Sequence, residues 1–422
     1  MNGNLFSSGI VYYAADKQNP FTITMRIEAT DPVDGNSLRE AVSKTWQRYP
    51  CLRVRVIKSV MGLKIEDNDL PWTVTEGALC PPIGSEGVNY HLIAFTWSGN
   101  NIMIHTFHGL IDGIAFNKLF KTLMFYYSEI RYNVQLNPEG INTLEDDISA
   151  EEYTDPFPKR RPERKLSPLA KTPRFVKALK ITKESGIKER DPHIFRISVP
   201  RSSLNGVMTG LDVSPAPFLG IMMAKAILQV HPDSGRKVSI AIPINIRPAL
   251  NANKYCMNLV YNLHVICDDK IVSLPPDRQC TSVRGRVFLQ SDTDSVLKEL
   301  DFQRKVFSLI SHIPFYGLKR LISRLSMSFN MSDETFASSY TGKAQFGEME
   351  RYFKNIEVIC DTCGEDLLVE MFLISDTYNI TILQRNGDRR YADAFAGLLR
   401  QAGADVEGAS SEKLIIPEIG FK

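Results

Sequence analysis

The sequence predicts a mixed α/β protein made of two structural units, and three observations carry that prediction. Strand and helix signals alternate through the first 130 residues and again through the second half. A proline-rich stretch of weak periodicity separates the two regions. The chain has 422 residues, 43% hydrophobic and 23% charged, so it can bury a sizeable core. At about 100 to 200 residues per domain, that length gives two units or one two-part architecture with its site between the parts. Disordered, collagenous and coiled-coil classes are excluded.

The elements follow in order. Phe21, Ile23, Met25 and Ile27 alternate with Thr22, Thr24, Arg26 and Glu28, the period that puts one face of a strand on a core. Ser37 and Glu40 have the spacing of a capping box. Leu38, Ala41, Val42, Thr45 and Trp46 then recur at helical spacing until Tyr49-Pro50 stops the helix. Leu52, Val54 and Val56 resume alternation. Leu92 to Trp97 and Ile102 to Phe107 flank Ser98-Gly99-Asn100-Asn101 and read as a hairpin. After Gly113, residues Phe116, Leu119, Phe120, Leu123, Tyr127 and Ile130 mark one stripe of a helix of about five turns. Prolines then accumulate and a basic run appears, Lys159-Arg160-Arg161 with Arg164 and Lys165, in what reads as a crossover linker, the run being a solvated surface or a patch that meets a phosphorylated ligand. The division is an N-terminal unit over 1–155, a linker over 156–190 and a C-terminal unit over 191–422.

In the second half, Ser214 is placed to cap a helix carrying Phe218, Ile221, Met222, Lys225 and Leu228. Lys237 to Ile246 reads as a buried strand ending in Arg247-Pro248, and Leu259 to Cys267 as another. Residues 291 to 328 read as helical and Thr335 to Ser339 as extended. Leu367 to Leu373 and Tyr378 to Gln384 form a second hairpin, and Tyr391, Phe395, Leu398 and Leu399 a helix stopped at Gly403.

Fifty Lys and Arg against 48 Asp and Glu give a net charge of +2, which excludes the electrostatic footprint of a nucleic-acid binder. The seven cysteines are odd in number and scattered. The opening Met1-Asn2-Gly3-Asn4 lacks the basic and apolar regions of a secretory signal, so reduced thiols in a cytoplasm are expected. No apolar run reaches the roughly 18 residues of a membrane span. Cys360 and Cys363 form one C-x-x-C, but no second ligand pair stands at zinc-site spacing, and no metal is expected.

One stretch carries chemistry: His105-Thr106-Phe107-His108-Gly109-Leu110-Ile111-Asp112-Gly113, at the junction between an apolar strand and a helix. A histidine at a strand end titrates near neutrality and can take a proton from a hydroxyl or amine as it attacks a carbonyl. Asp112, four residues on, can cap its own backbone, fix the loop through a buried ion pair, or orient the imidazole. A random chain of this composition gives about 0.4 His-x-x-x-Asp matches, and adding the glycine lowers that to about 0.03. A second match, His264 to Asp268, lacks the glycine and sits in an apolar strand, where alternation explains it as structural.

With these residues the chain resembles the chloramphenicol acetyltransferase-like superfamily, which includes alcohol acetyltransferases, plant acyltransferases of the BAHD type, polyketide-associated acyltransferases and condensation domains. The family signature is His-His-x-x-x-Asp-Gly. Here His108, Asp112 and Gly113 match and Phe107 replaces the first histidine. Leu38-Arg39-Glu40-Ala41 leading to Arg48-Tyr49-Pro50-Cys51-Leu52-Arg53 resembles the family's first helix and following strand. Arg247, in Pro243-Ile244-Asn245-Ile246-Arg247-Pro248, resembles the arginine that pairs with the motif aspartate. Ser339-Tyr340-Thr341-Gly342-Lys343 resembles the Ser-Asn-x-Gly segment of alcohol acetyltransferases.

The resemblance implies two α/β lobes forming a V, with a tunnel at their interface and His108 near its middle. It implies His108 as general base, Asp112 and Gly113 as motif partners, Arg247 as the ion-pair partner, and a donor from the Ser338 to Gly342 region, with Ser339 and Gly342 its chief residues, at the oxyanion. The donor is a coenzyme A thioester or a carrier-protein phosphopantetheine, and the acceptor a small molecule with a hydroxyl or amine. An acyl carrier protein is then a partner; a monomer suffices and a dimer is not excluded. Asn258 and Asn262 fall where related enzymes carry Asn near the tunnel, but alternation places them no more firmly than any turn residue. Three further readings stay open: a free-standing condensation domain, a catalytically silent recruitment domain, and a repressor-like binder of small molecules.

Overall fold

A computed structural model describes residues 9–156, 176–187, 190–343, 346–362 and 365–421. The basic run of the linker and Cys363 lie outside these residues. Helix α1 (Gly9–Ala14) leads into β1 (Thr22–Ala29), α2 (Gly35–Arg48), β2 (Val54–Ser59), β3 (Gly62–Asp67) and β4 (Val74–Glu76). Strands β5 (Ile93–Ser98) and β6 (Asn101–Phe107) precede α3 (Gly113–Tyr132). Then come α4 (Ile181–Ser185), β7 (His193–Pro200), α5 (Arg201–Gly210), α6 (Pro215–Val230), β8 (Val238–Asn245), α7 (Arg247–Leu250) and β9 (Val260–Cys267). Four helices follow: α8 (Asp269–Val272), α9 (Pro276–Ser291), α10 (Thr293–His312) and α11 (Tyr316–Ser332). The chain closes with β10 (Phe336–Lys343), β11 (Phe353–Cys360), β12 (Leu367–Ile374), β13 (Thr377–Gln384), α12 (Arg390–Gln401) and β14 (Glu407–Lys413).

Two sheets organise these elements. The first has the order β11-β1-β6-β5-β4 and the second β14-β7-β13-β12-β10-β8-β9, with β2 and β3 a separate ribbon. Strand β11 belongs by sequence to the second half, yet it pairs antiparallel with β1, Arg26 opposite Glu357. In the second sheet β10 lies parallel to both β8 and β12. All eight residues of β12 are buried, as expected of a strand covered on both faces. One face of this sheet carries α6, which packs on β8, β10 and β12. Ser338 points to that side, its hydroxyl donating to the Ala216 carbonyl at 2.8 Å.

The opposite face meets the first sheet. Asn379 on β13 donates to the Asn355 side chain at 3.1 Å, and Arg196 on β7 donates to Glu357 on β11. Glu357 also accepts from Arg26 on β1, and both arginines reach Glu412 on β14. A buried carboxylate between two guanidinium groups therefore ties the sheets at one end of their interface. Toward the other end, the Thr341 methyl lies 3.5 Å from where a Cβ on Gly113 would stand.

Several expectations are corrected. Helix α2 starts two residues before Ser37, and Asp34 is its cap, accepting from the Ser37 N–H at 2.6 Å. An aspartate there leaves no role for a Ser37–Glu40 capping box. Ser214 stands at the cap of α6 but makes no capping hydrogen bond. The helical stretch over 291 to 328 is two helices, α10 and α11, interrupted at residues 313–315, where Pro314 cannot donate to the preceding turn. Leu52 lies in a short 3-10 turn ahead of β2. Strands β3, β4, β7, β11 and β14 are absent from the sequence expectation. The β11 and β7 segments carry Glu357 and Arg196 on the sheet face that meets the partner sheet, which blurs their alternation. Among the described residues no single helix is long and apolar enough to cross a membrane, and no group of three or more His, Cys, Asp or Glu stands ready to hold a metal ion.

Glu357 is 5% exposed while its two arginines keep some contact with water. Glu357→Ala strands both cations, partly screened, and is expected to lower unfolding stability by about 2–3 kcal/mol. Urea titration of the variant checks this, and an unchanged midpoint would show that the network does not join the sheets energetically.

Candidate active site

Strand β6 ends at Phe107, and His108 is the first residue beyond it. Its N–H donates to the Phe21 carbonyl at 2.7 Å, and Phe21 holds a left-handed φ of 51°, a strained conformation for a bulky residue. The His108 ring turns toward its own loop, where Nδ1 lies 3.0 Å from the Ile111 carbonyl. A carbonyl only accepts, so Nδ1 carries a proton and in the neutral ring Nε2 keeps its lone pair. Nε2 has no hydrogen-bond partner among the described residues, and the side chain is half-buried. The group that fixes the tautomer is therefore the main chain, and Asp112 does not orient the imidazole.

Asp112 caps α3 and anchors the loop. One oxygen accepts from the Ala115 N–H at 2.9 Å and from Arg247 Nη2 at 3.1 Å. The other accepts from Arg247 Nη1 at 2.8 Å and from the Leu259 N–H at 2.7 Å, just ahead of β9. Arg247 uses the rest of its fork on the Tyr255 carbonyl at 2.9 Å, the Met257 carbonyl at 2.6 Å and the Asn245 side chain at 3.2 Å. All five N–H groups of the guanidinium are satisfied, and so are both carboxylate oxygens. Arg247 is 1% exposed and Asp112 fully buried.

Asn258 closes the same loop from just ahead of β9, its amide donating to the His108 carbonyl at 2.6 Å and its N–H to the Leu110 carbonyl at 3.0 Å. Asn262 stands apart, on β9 opposite Pro243. Gly113 opens α3 with room for a Cβ. Gly109 has none, since a Cβ there would fall 2.4 Å from the Phe107 ring and 3.0 Å from the Tyr12 ring. Phe107 is fully buried edge-on to Tyr12 and Phe421, with centroids 4.8 and 5.2 Å away, so it serves the core behind the loop. The sequence reading did not single out Gly109, because its role depends on that aromatic cluster.

On the facing sheet, Ser339 and Thr341 share one acceptor, Glu370 on β12. The Thr341 hydroxyl donates to Glu370 Oε1 at 2.6 Å and that of Ser339 at 3.5 Å. A bulge between Tyr340 and Gly342 leaves Thr341 unpaired and re-aims it, and Gly342 adopts φ 101°, which favours glycine. Tyr340 faces away, near Tyr378 and Arg201. Ser338 is spent on α6, which leaves Ser339 and Thr341 as the hydroxyls of this segment on the side of Glu370. Burial pushes the Glu370 carboxyl up to about 7, against the two hydroxyl hydrogen bonds that favour its charged form. Its signal was a lone acid inside the apolar run Leu367 to Ile374.

On the first sheet, His105 uses both ring nitrogens on hydroxyls, Nδ1 with Thr24 at 2.8 Å and Nε2 with Thr96 at 2.9 Å. Burial pushes its imidazole down to about 4, so it stays neutral at physiological pH.

No family model and no curated protein matches the chain. Solved structures do. Polyketide synthase associated protein 5 from Mycobacterium tuberculosis superposes with a TM-score of 0.59 at 12% identity, covering 93% of this chain and 95% of its own. TRI101 of F. graminearum, complexed with coenzyme A and deoxynivalenol, gives 0.58 at 9% identity over 94% and 98%. The epimerization domain from the third module of tyrocidine synthetase B gives 0.57 at 11% over 95% and 96%. The chain thus has the two-lobed chloramphenicol acetyltransferase-like fold that the sequence resemblance implies.

Two outcomes follow. Asp112→Ala leaves a buried guanidinium uncompensated and is expected to destabilise by about 3–5 kcal/mol, whereas Asp112→Leu with Arg247→Met recovers much of that loss. Equal melting midpoints for the single and double variants would contradict this. Glu370 keeps its proton up to about 7 when folded but only to its ordinary 4.5 when unfolded. Between those pH values the folded state binds more protons, so stability falls as pH rises through that window. Glu370→Gln is therefore expected to be more stable than wild type at pH 8 by on the order of 3 kcal/mol, with the gap closing near pH 4. Urea titration across pH checks this, and a gap independent of pH would contradict it.

Proposed function

We propose that the protein transfers an acyl group from a thioester to a hydroxyl or amine of a small acceptor, with His108 as general base. The observation that supports this most is the His108 imidazole, its Nδ1–H spent on the Ile111 carbonyl and its Nε2 left free at the junction of the two sheets. A neutral imidazole so held can take the acceptor's proton as the acceptor oxygen or nitrogen attacks the thioester carbonyl. The tetrahedral intermediate then collapses, the C–S bond breaks, and the imidazolium returns the proton to the leaving thiolate. No covalent acyl-enzyme is needed.

The oxyanion is met from the Ser339 to Gly342 segment. While Glu370 is ionised, the Thr341 proton is held by the carboxylate. Once protonated, Glu370 donates to the Thr341 oxygen and frees that hydroxyl for the oxyanion. Asp112 and Arg247 act as positioning residues. Coenzyme A as donor draws support from the TRI101 complexes, which hold it beside a small molecule. A carrier-bound pantetheine presents the same arm, and the chain also resembles a condensation domain of the enacyloxin polyketide synthase at 9% identity and a TM-score of 0.53.

The test is thiol release, followed with a disulfide reagent, from a panel of acyl-coenzyme A donors with pooled alcohols and amines. Acceptor-dependent release is expected, falling at least about a hundredfold in His108→Ala. Unchanged release in that variant removes the mechanism. Release from pantetheinylated carrier protein alone redirects the donor.

A further inference from the structure

Helix α11 is apolar on two sides, since Tyr316, Met327 and Met331 pack on the core while a second stripe faces outward. Leu318, Leu321, Leu325 and Phe329 recur at helical spacing and point outward, between 43% and 70% exposed. Lys319, Arg320 and the buried Ser323 turn inward, toward α1, α10 and β3. The apolar stripe continues onto the tip of the β2–β3 ribbon, where Val60 and Met61 are 75% and 58% exposed. The two parts are joined, since the Tyr316 N–H donates to the Val60 carbonyl at 2.8 Å and Lys58 lies over the Tyr316 ring. Single exposed apolar side chains are ordinary, but a row of six on adjoining elements marks an interaction site.

Charge selects the occupant. Residues 302–329 hold five Lys or Arg and no Asp or Glu, in a chain whose charges otherwise balance. Arg324 pairs with Asp16 at 2.9 Å and Lys305 with Asp301 at 2.9 Å. Lys58, exposed and with no acidic partner among the described residues, and Arg324, 47% exposed, stand beside the stripe. A second copy docking by two-fold symmetry would set these cations against themselves. Protein hot spots favour Trp, Tyr and Arg at their centre, whereas this stripe presents Leu, Phe, Val and Met alone. A long apolar stripe flanked by Lys and Arg fits the boundary between headgroups and acyl chains.

We propose that this face docks the protein on an anionic lipid bilayer, with α11 lying in the interface plane and no segment crossing the membrane. The test is flotation of the full chain with vesicles of phosphatidylcholine alone or mixed with phosphatidylglycerol. Recovery on the anionic vesicles is expected to exceed that on neutral ones at least about tenfold and to fall with salt. Leu321→Glu with Leu325→Glu, both on exposed positions, is expected to abolish flotation while leaving the circular dichroism melt unchanged. In a folding-independent readout, Phe329→Trp emission is expected to shift to the blue only with anionic vesicles. Failure of the folded wild type to float, or equal flotation by the double variant, overturns the proposal. So does a dimer in light scattering that the double variant dissolves, which would assign the face to a second copy.

Discussion

The Asp112–Arg247 pair is the constraint on which the rest of the site depends. Its two partners come from different halves of the chain, 135 residues apart. Every polar atom of both side chains is used, so the desolvation that makes most buried ion pairs costly is offset here by five further contacts of main chain and side chain. The carboxylate starts α3, anchors the chain entering β9 and closes the loop that carries His108. Asn258 and the strained Phe21 hold the same loop from the entries to β9 and to β1. The imidazole is then aimed by main chain alone, which leaves Asp112 a purely positional part.

Burial acts on the interlobe faces in two opposite directions with one result. On the first sheet it drives a proton off His105, and on the second it keeps a proton on Glu370. Both groups are bonded to hydroxyls and neither has an opposite charge beside it. The wall facing the proposed substrate is polar but close to neutral, while the ionic contacts of Arg26, Arg196, Glu357 and Glu412 are set off at one end. Polar groups held close to neutral discriminate by hydrogen bonding, which rejects mismatched substrates more strongly than apolar contact does.

Much of this was legible in the chain. Alternation located β1, β5, β6, β8, β9, β12 and β13, because each has at least one apolar face, and the His-x-x-x-Asp-Gly spacing found the loop. The partnership of Arg247 came only through resemblance, since no local rule links residues so distant. What stayed hidden depends on long-range contact. Strand β11 crosses between sheets, Gly109 is required by the packing of Phe107 against Tyr12, and Glu370 matters because two hydroxyls converge on it. The exposed stripe of α11 was concealed for another reason: a helical period reveals an apolar face but not which side it turns.

The central claim is that the main chain fixes the His108 tautomer, so that the neutral ring carries its proton on Nδ1 and leaves Nε2 free. Nitrogen NMR of the histidine-labelled protein, with His108 assigned by comparison with His108→Ala, reads this directly. The account predicts that the neutral ring is protonated on Nδ1 and unprotonated on Nε2. A neutral ring with its proton on Nε2 would contradict it, because that nitrogen could then not take the proton of the proposed acceptor.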